Sequence, residues 1–333
     1  MKESEQQKYG ACPIGRYALE VKGNLTGMND LKRVFHSPML SSARWLRFTF
    51  SFFLLPLLLA SCGQAAKPQS GRQPLVIGHA GSGFFTPLNP FNPLPPSSMA
   101  SIKKALAYGA DGVEIDVQLS QDSVLMLYHD QTLESMTTGQ GCVSELPAAA
   151  IQQLKYRGGW FYDLWHDERP ITLAQLLDTL SHRPTLPYLH FDLHENNACN
   201  PEQPLARAPA LARTLGRLLK QYAWPPERLL VLSINQTSLT GLRQALPGIP
   251  LGLEITDDFE QQLLVAKAEK VQAVIVRKDL ITPERTAQAH AAGLQVVTFG
   301  GRASGTVQRL IDCQPDAIEV DNVPTMLRLL GRK

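Results

Sequence analysis

From Leu75 onward, short apolar runs alternate with longer amphipathic ones, and this order constrains the fold more than any other feature of the chain. The runs with strand character are 75–79, 112–118, 124–128, 188–193, 229–234, 250–255, 273–276, 295–299 and 317–320. Helical spacing occupies 97–108, 172–180, 205–222, 236–245, 258–268, 283–292 and 304–313. Strands that alternate with helices bury both faces of their sheet, so the pattern predicts a parallel sheet covered by helices. The turn at 120–123 is short enough to fold 124–128 back as a hairpin arm of the preceding strand. Counting that arm with its partner leaves eight βα units, the number that closes an α/β (β/α)8 barrel of the TIM type. A doubly wound open sheet shares the alternation; no dinucleotide-binding glycine fingerprint follows the first strand, but periodicity alone leaves the two architectures nearly even.

In such barrels the working side chains sit at the C-terminal ends of the strands. His79 ends the first strand, and Glu114 and Asp116, two residues apart on the second, share a face. His129 and Asp130 end the hairpin arm. His190, Asp192 and His194 alternate on one side of a later strand, with Phe191 and Leu193 on the other. Carboxylates brought together raise one another's pKa unless a cation lies between them. Glu114, Asp116 and Asp192 make a hard-oxygen set suited to one divalent cation, Mg²⁺ or Ca²⁺. His79 and His129 on either side make a candidate acid–base pair. Each residue alone has a plain structural reading; their joint placement at successive strand ends points to a site.

Several stretches are more specific. They read His79-Ala-Gly81, Pro96-Ser-Ser-Met99, Gly109-Ala-Asp-Gly-Val-Glu-Ile-Asp-Val117, Tyr128-His-Asp130, Thr137-Thr-Gly-Gln-Gly141 and Pro170-Ile-Thr-Leu173. They resemble the glycerophosphodiester phosphodiesterase family, over roughly residues 75–330. The resemblance implies a metal-dependent phosphodiesterase that hydrolyses glycerophosphodiesters or related lipid head-group phosphodiesters to an alcohol and a phosphomonoester. It implies His79 and His129 as catalytic residues, Glu114, Asp116 and Asp192 as metal ligands, and a small phosphodiester or lysolipid as substrate. The alternatives are a phospholipase D-like lyase forming a cyclic phosphate, and a non-catalytic ligand-binding lipoprotein retaining the barrel.

The chain also departs from the family. Ala80 stands where the family has a phosphate-clamping Arg, and Ser97 replaces a Glu at the same entrance. A charge-assisted hydrogen bond contributes about 1.5–3 kcal/mol, so the lost Arg implies roughly ten- to a hundredfold weaker phosphate binding. His194 replaces a Lys, which makes its electrophilic help pH-dependent. Asn322 stands where Asp is common, and Asp192 shortens a ligating Glu while keeping its charge. His194 and Lys278 are the candidate substrate-binding residues, with Arg277 and Arg157 as further cations available to replace the Arg. The aromatic residues Phe84, Phe85 and Phe91 of the 81–96 loop, and the cluster Trp160, Phe161, Tyr162 and Trp165, either cover substrate or pack on themselves.

Upstream, Arg44-Trp-Leu-Arg47 precedes an apolar run at 48–60 and then Ser61-Cys62-Gly63, the layout of an export signal. The run is shorter than the ~20 residues of a spanning helix. Leu59-Ala60-Ser61-Cys62 resembles a bacterial lipobox, which makes Cys62 the lipidation site. The expected organisation is a non-native extension at 1–38, a signal peptide with lipobox at 39–61, a flexible tether at 62–74 and the barrel at 75–333. The expected location is the bacterial cell envelope, lipid-anchored on the periplasmic side or in the outer membrane. Gly63 is not the Asp associated with inner-membrane retention. With Cys62 acylated, Cys142, Cys199 and Cys313 allow at most one internal disulfide. Thirty-two Lys and Arg against thirty Asp and Glu, with no basic run, exclude a nucleic-acid partner.

Overall fold

A computed structural model of the chain describes residues 73–84, 94–158 and 160–332. The chain divides into Met1–Lys67 and Pro68–Lys333, and all of these residues lie in the second unit. The extension, the signal peptide, Cys62, most of the tether, Phe85 and Phe91 lie outside the described residues.

Ten strands follow in order: β1 (Leu75–Gly78), β2 (Gly112–Leu119), β3 (Leu125–Leu127), β4 (Ile171–Thr172), β5 (Tyr188–Leu193), β6 (Leu229–Ser233), β7 (Leu251–Ile255), β8 (Ala273–Arg277), β9 (Gln295–Phe299) and β10 (Ala317–Val320). β1 pairs in parallel with both β2 and β10, so β1, β2 and β5 to β10 close into the expected eight-stranded barrel. β3 runs antiparallel to the end of β2, Leu127 opposite Val117, as the hairpin arm the short turn requires. β4 extends this ribbon with two residues that carry no strand periodicity in the sequence.

The helices are α1 (Met99–Ala107), α2 (Ala148–Ile151), α3 (Trp160–Trp165), α4 (Leu173–Ser181), α5 (Ala208–Tyr222), α6 (Leu239–Ala245), α7 (Phe259–Ala268), α8 (Pro283–Ala291), α9 (Ser304–Asp312) and α10 (Val323–Leu329). Side-chain caps fix several starts: Ser98 accepts from the Ser101 amide, Thr172 from Gln175, and Thr282 from Arg285. α5 begins at Ala208 rather than 205, with Pro209 in the first turn, where its missing N–H costs nothing. Residues 236–238 form a 3₁₀ turn ahead of α6. None of the helices among the described residues is long and apolar enough to cross a membrane.

Strand alternation sorts the core into layers. Val113, Ile115, Val117, Phe191 and Leu193 face outward and pack with helix residues such as Leu176, Leu211 and Leu215. Ile77, Leu230, Leu232, Ala273, Ile275, Val297 and Ala317 form a separate apolar cluster contributed by the barrel strands. Four charged or titratable strand residues, Glu114, Asp116, His190 and Glu319, are buried too. A third cluster, including Met126, Tyr128, Val143, Ile151 and Tyr162, supports the long segment between β3 and β4. Of the aromatic group at 160–165, Tyr162 packs into this cluster, while Trp165 is exposed.

Cys142 and Cys199 form a disulfide across 57 residues, joining the β3–β4 segment to the β5–α5 loop, and Cys313 is a buried free thiol. Loop-closure entropy for that separation gives a stabilisation of about 4 kcal/mol. Cys142→Ser is therefore expected to lower the free energy of unfolding by about that amount, read as a lower urea midpoint. Adding dithiothreitol should reproduce the shift in the wild type and leave the variant unmoved.

Candidate active site

Strand pairing gathers the acidic side chains. In the parallel ladder between β2 and β5, Glu114 stands opposite His190 and Asp116 opposite Asp192. Alternation turns all four toward the same side. One carboxylate oxygen each from Glu114, Asp116 and Asp192 lie within 4.8 Å of one another. Asp116, His129 and His194 form a second such group, sharing Asp116 with the first.

Each carboxylate is held by a neighbour. The Ala80 backbone N–H donates to Glu114 Oε2 at 2.6 Å, whereas Glu114 Oε1 is buried and has no partner. Ser97 Oγ donates to Asp116 Oδ2 at 2.7 Å and accepts from the Asp116 backbone N–H at 3.1 Å. His194 Nε2 lies 3.1 Å from Asp116 Oδ1 and 3.6 Å from Asp192 Oδ2. Gly81 lets the loop after β1 lie against α1: its φ is +87°, and a Cβ there would come 2.8 Å from the Ile102 backbone nitrogen.

Both predicted catalytic imidazoles are backed by a carboxylate. His79 Nδ1 donates to Asp321 Oδ1 at 2.8 Å and His129 Nδ1 to Asp130 Oδ1 at 2.7 Å, which leaves each Nε2 free of those bonds. The Phe84 ring packs edgewise against both imidazoles, 4.8 Å from His79 and 4.7 Å from His129 between centroids. Its carbonyl oxygen accepts from Arg302 Nη2 at 2.7 Å. His129 and His194 are 5.2 Å apart.

The electrostatics follow from burial and proximity. Burial pushes the Glu114 carboxyl well above its usual range, and the charges of Asp116, Glu319 and Asp192 push it further. For Asp116 burial acts upward too, but the hydrogen bond from His194 and the imidazoles of His129 and His194 hold it far below the usual carboxylate value. Burial works against a charged His79, yet its bond to Asp321 and the surrounding carboxylates outweigh that and raise its pKa. For His194 burial is again outweighed by the bonds to Asp116 and Asp192, and the pKa is pushed up to about 10.

This last value sets the range over which help from His194 depends on pH: the charge is lost only as pH rises through about 10. Held between two carboxylates, His194 carries the positive charge of the family's Lys through neutral pH. Its folded pKa lies above the unfolded value of 6.5, so the stabilisation is complete below pH 6.5 and is lost as pH rises through about 10. The thermal midpoint of metal-free protein should therefore fall between pH 7 and pH 10.5, and His194→Gln should flatten that fall. A ¹⁵N titration that places the imidazole pKa near 6.5 would refute the assignment.

The other candidates distribute unevenly. Lys278 is exposed just beyond β8, its side chain beside Gly300, and it lowers the pKa of Asp321 rather than touching the three carboxylates. Arg277 is engaged with Asp279 at 2.7 Å, and Arg157 is exposed. Asn322 accepts from the Thr325 amide at 3.2 Å and caps α10. The carboxylate at this corner comes instead from its neighbour Asp321. His190 Nδ1 is hydrogen-bonded to the buried Glu319 Oε1 at 2.7 Å.

Residues overlooked in the sequence include Asp321, Arg302, Glu319 and Glu254. Burial, with Asp192 and Glu319 adding to it, pushes Glu254 up to about 7. Glu254 and Glu319 carried a usable signal, because a charged residue inside an otherwise apolar strand must face something polar. Arg302 carried none.

Fold and site together define a (β/α)8-barrel enzyme with an acidic centre between carboxylate-backed imidazoles. The sequence pattern of the glycerophosphoryl diester phosphodiesterase family matches residues 90–325. The chain belongs to that family, and with it to the hydrolases of phosphoric diesters. It is 24% identical over 258 residues to a glycerophosphodiester phosphodiesterase from Caldanaerobacter subterraneus subsp. tengcongensis, covering 78% of this chain and 98% of that one. Among solved structures it resembles a phosphodiesterase from Oleispira antarctica in complex with the product sn-glycerol-3-phosphate, with a TM-score of 0.67 at 23% identity, covering 78% of this chain and 97% of that one. It also resembles a glycerophosphodiester phosphodiesterase from Agrobacterium tumefaciens, with a TM-score of 0.61 at 21% identity, covering 77% of this chain and all (100%) of that one.

Proposed function

We propose that this chain is a metal-dependent phosphodiesterase that hydrolyses glycerophosphodiesters or related lipid head-group phosphodiesters to an alcohol and a phosphomonoester. The observation that carries this reading is the group of three carboxylates within 4.8 Å, one with a buried oxygen that no protein group satisfies. A donor set of hard oxygens with an orphaned acceptor fits Mg²⁺ or Ca²⁺. Glu114, Asp116 and Asp192 would hold the ion, which supplies charge neutralisation at the phosphate when bound.

The chain's own residues then divide the work. His79, its pKa raised mainly by Asp321 against the pull of burial, carries the proton that the leaving alkoxide needs. His129, oriented by Asp130, offers Nε2 to a water and takes its proton. His194 supplies the fixed positive charge nearest the acidic centre, and Lys278 adds a second at the rim. Ser97 and the Ala80 amide hold Asp116 and Glu114 in place. The sn-glycerol-3-phosphate held by the Oleispira antarctica relative supports a phosphomonoester product of this class.

The test is an assay of the purified protein on glycerophosphodiesters followed by ³¹P NMR, after chelation with EDTA and after returning Mg²⁺ or Ca²⁺. The expected result is a phosphomonoester signal that disappears with EDTA and returns with the cation. A rate that ignores both additions would overturn the reading. A cyclic phosphate as final product would favour lyase chemistry over hydrolysis.

The same proposal places the barrel, residues 75–333, in the bacterial envelope on a tether from an acylated Cys62, on the periplasmic side or in the outer membrane. The signal-like segment at 44–63 supports it, as does the Cys142–Cys199 disulfide, a bond that persists in oxidising compartments. Mass spectrometry of protein taken from membranes should find an acylated Cys62 at the N-terminus. A chain cleaved elsewhere and lacking lipid would count against it.

A further inference from the structure

Phe84 is an aromatic residue outside the core. Its side chain is half-buried, and it belongs to none of the three apolar clusters among the described residues. Its ring meets imidazoles instead: the centroids lie 4.8 Å from His79 and 4.7 Å from His129, with ring planes inclined at 71° and 75°. Edge-on contact at this separation is a favoured arrangement for aromatic pairs. Phe299 stands 5.9 Å beyond His79 and His194 5.2 Å beyond His129, so a row of rings crosses the mouth with Phe84 at its middle. The backbone fixes where that ring starts. The Gly83 N–H donates to the His79 carbonyl at 2.9 Å. Gly83 has a φ of +93°, and a Cβ there would come 2.3 Å from the Asp321 carbonyl oxygen, so only glycine lets the chain lie this close to the residue that backs His79. The Phe84 carbonyl is then held by Arg302 Nη2 at 2.7 Å.

Displacement at phosphorus sets the attacking and leaving oxygens roughly in line, on opposite sides of the phosphorus. In the hydrolysis proposed above, a water proton passes to His129 as the water oxygen bonds to phosphorus. The opposite P–O bond breaks, and His79 delivers its proton to the departing oxygen. The two imidazoles must therefore stand apart, each within hydrogen-bond reach of its own oxygen. Asp321 and Asp130 fix which nitrogen each ring presents, but neither touches both rings. Phe84 does. We propose that Phe84 is a positioning residue for this reaction: its ring is a rigid spacer that sets the separation of the proton donor and the proton acceptor, and Arg302 anchors the backbone that carries it. The inference rests on the acid–base reading of His79 and His129 and adds to it the group that holds them apart.

The experiment compares the full chain with Phe84→Leu, Phe84→Tyr and Arg302→Gln on glycerophosphocholine and on bis(p-nitrophenyl) phosphate, with Mg²⁺ or Ca²⁺ present. Phe84→Leu is expected to lower kcat on glycerophosphocholine about 10²-fold, the cost of misplacing a reacting group by an ångström, with KM changed by less than about twofold. The nitrophenolate departs without a proton, so on that ester the loss should be at most about tenfold, from the His129 half of the alignment alone. Phe84→Tyr keeps the ring and should retain kcat within about threefold. Arg302→Gln should lower kcat several-fold and add nothing to Phe84→Leu, because it acts through the ring. Should Phe84→Leu fold poorly, Arg302→Gln carries the test, with the same preference between the two esters at an unchanged thermal midpoint. A lower KM in Phe84→Leu would mean a plug in the substrate's place, and equal losses on both esters a side chain that only supports the fold. Either result overturns the proposal, as does a folded Phe84→Leu or Arg302→Gln as fast as wild type. A wild type without cation-dependent turnover would instead sink the acid–base reading and this inference with it.

Discussion

Replacing His79 by Ala is expected to lower kcat on a glycerophosphodiester by roughly 10²–10⁴-fold, the usual contribution of a positioned general acid. Substrate affinity should change little, because the carboxylate cluster and the cations that meet the phosphate are untouched. His79 stands at the end of β1 with Nδ1 committed to Asp321, so only Nε2 is free to exchange a proton with a ligand. The direction of the pKa supports a proton donor: burial alone would discharge the ring, and Asp321 is the main group that prevents it. Asp321→Asn removes that carboxylate while keeping a polar group beside the ring. The His79 pKa should then fall, and the alkaline limb of the rate profile, where the acid is deprotonated, should move to lower pH. A profile that keeps its alkaline limb in Asp321→Asn, or an Ala variant as fast as wild type with unaltered thermal midpoint, would remove His79 from the mechanism.

Much of this site was legible because barrel strands obey a strict rule. Glu114 and Asp116 share a face by alternation alone, and strand ends mark the functional rim, so His79 and His129 could be singled out before any coordinates. What strand periodicity cannot supply is register and direction. That Asp116 meets Asp192 across the ladder, and that His194 reaches back to both, depends on which residues pair between β2 and β5. The corner after β10 shows the same limit. A one-residue shift along Val320, Asp321 and Asn322 decides which side chain caps a helix and which backs an imidazole, and composition favours neither. The elements overlooked, β4, α2, α3 and α10, are too short for a hydrophobic period to emerge, and α10 begins with Pro324 in its first turn. The cations were the least legible part. Long flexible side chains take their direction from neighbours such as Asp279, which engages Arg277, and those contacts exist only once the chain has folded.

Glu114→Gln is expected to separate the cost of the acidic cluster from its use. At neutral pH the metal-free protein keeps Glu114 in a site where burial and the charges of Asp116, Glu319 and Asp192 all oppose ionisation. Its folded pKa lies above the unfolded one, so the stability linked to it is present at low pH and is lost as pH rises through the folded value. The amide ends that cost. Its carbonyl still accepts from the Ala80 N–H, and its NH₂ donates toward the neighbouring carboxylates where a bare oxygen had no partner. Metal-free Glu114→Gln should therefore melt at or above the wild-type temperature. Saturating Mg²⁺ or Ca²⁺ should stabilise the wild type and leave the variant almost unmoved. At a hundredfold excess over Kd it contributes about 2.7 kcal/mol to the wild type, roughly 5–10 °C for a domain of this size, and almost nothing to the variant. Turnover in the variant should fall by about 10³-fold, the few kcal/mol that charge neutralisation at a phosphate supplies. Calorimetry with and without cation tests both halves at once. A variant that melts lower than wild type without metal, or gains as much from added cation, would mean that Glu114 is a structural carboxylate and that the ion, if one binds, sits elsewhere.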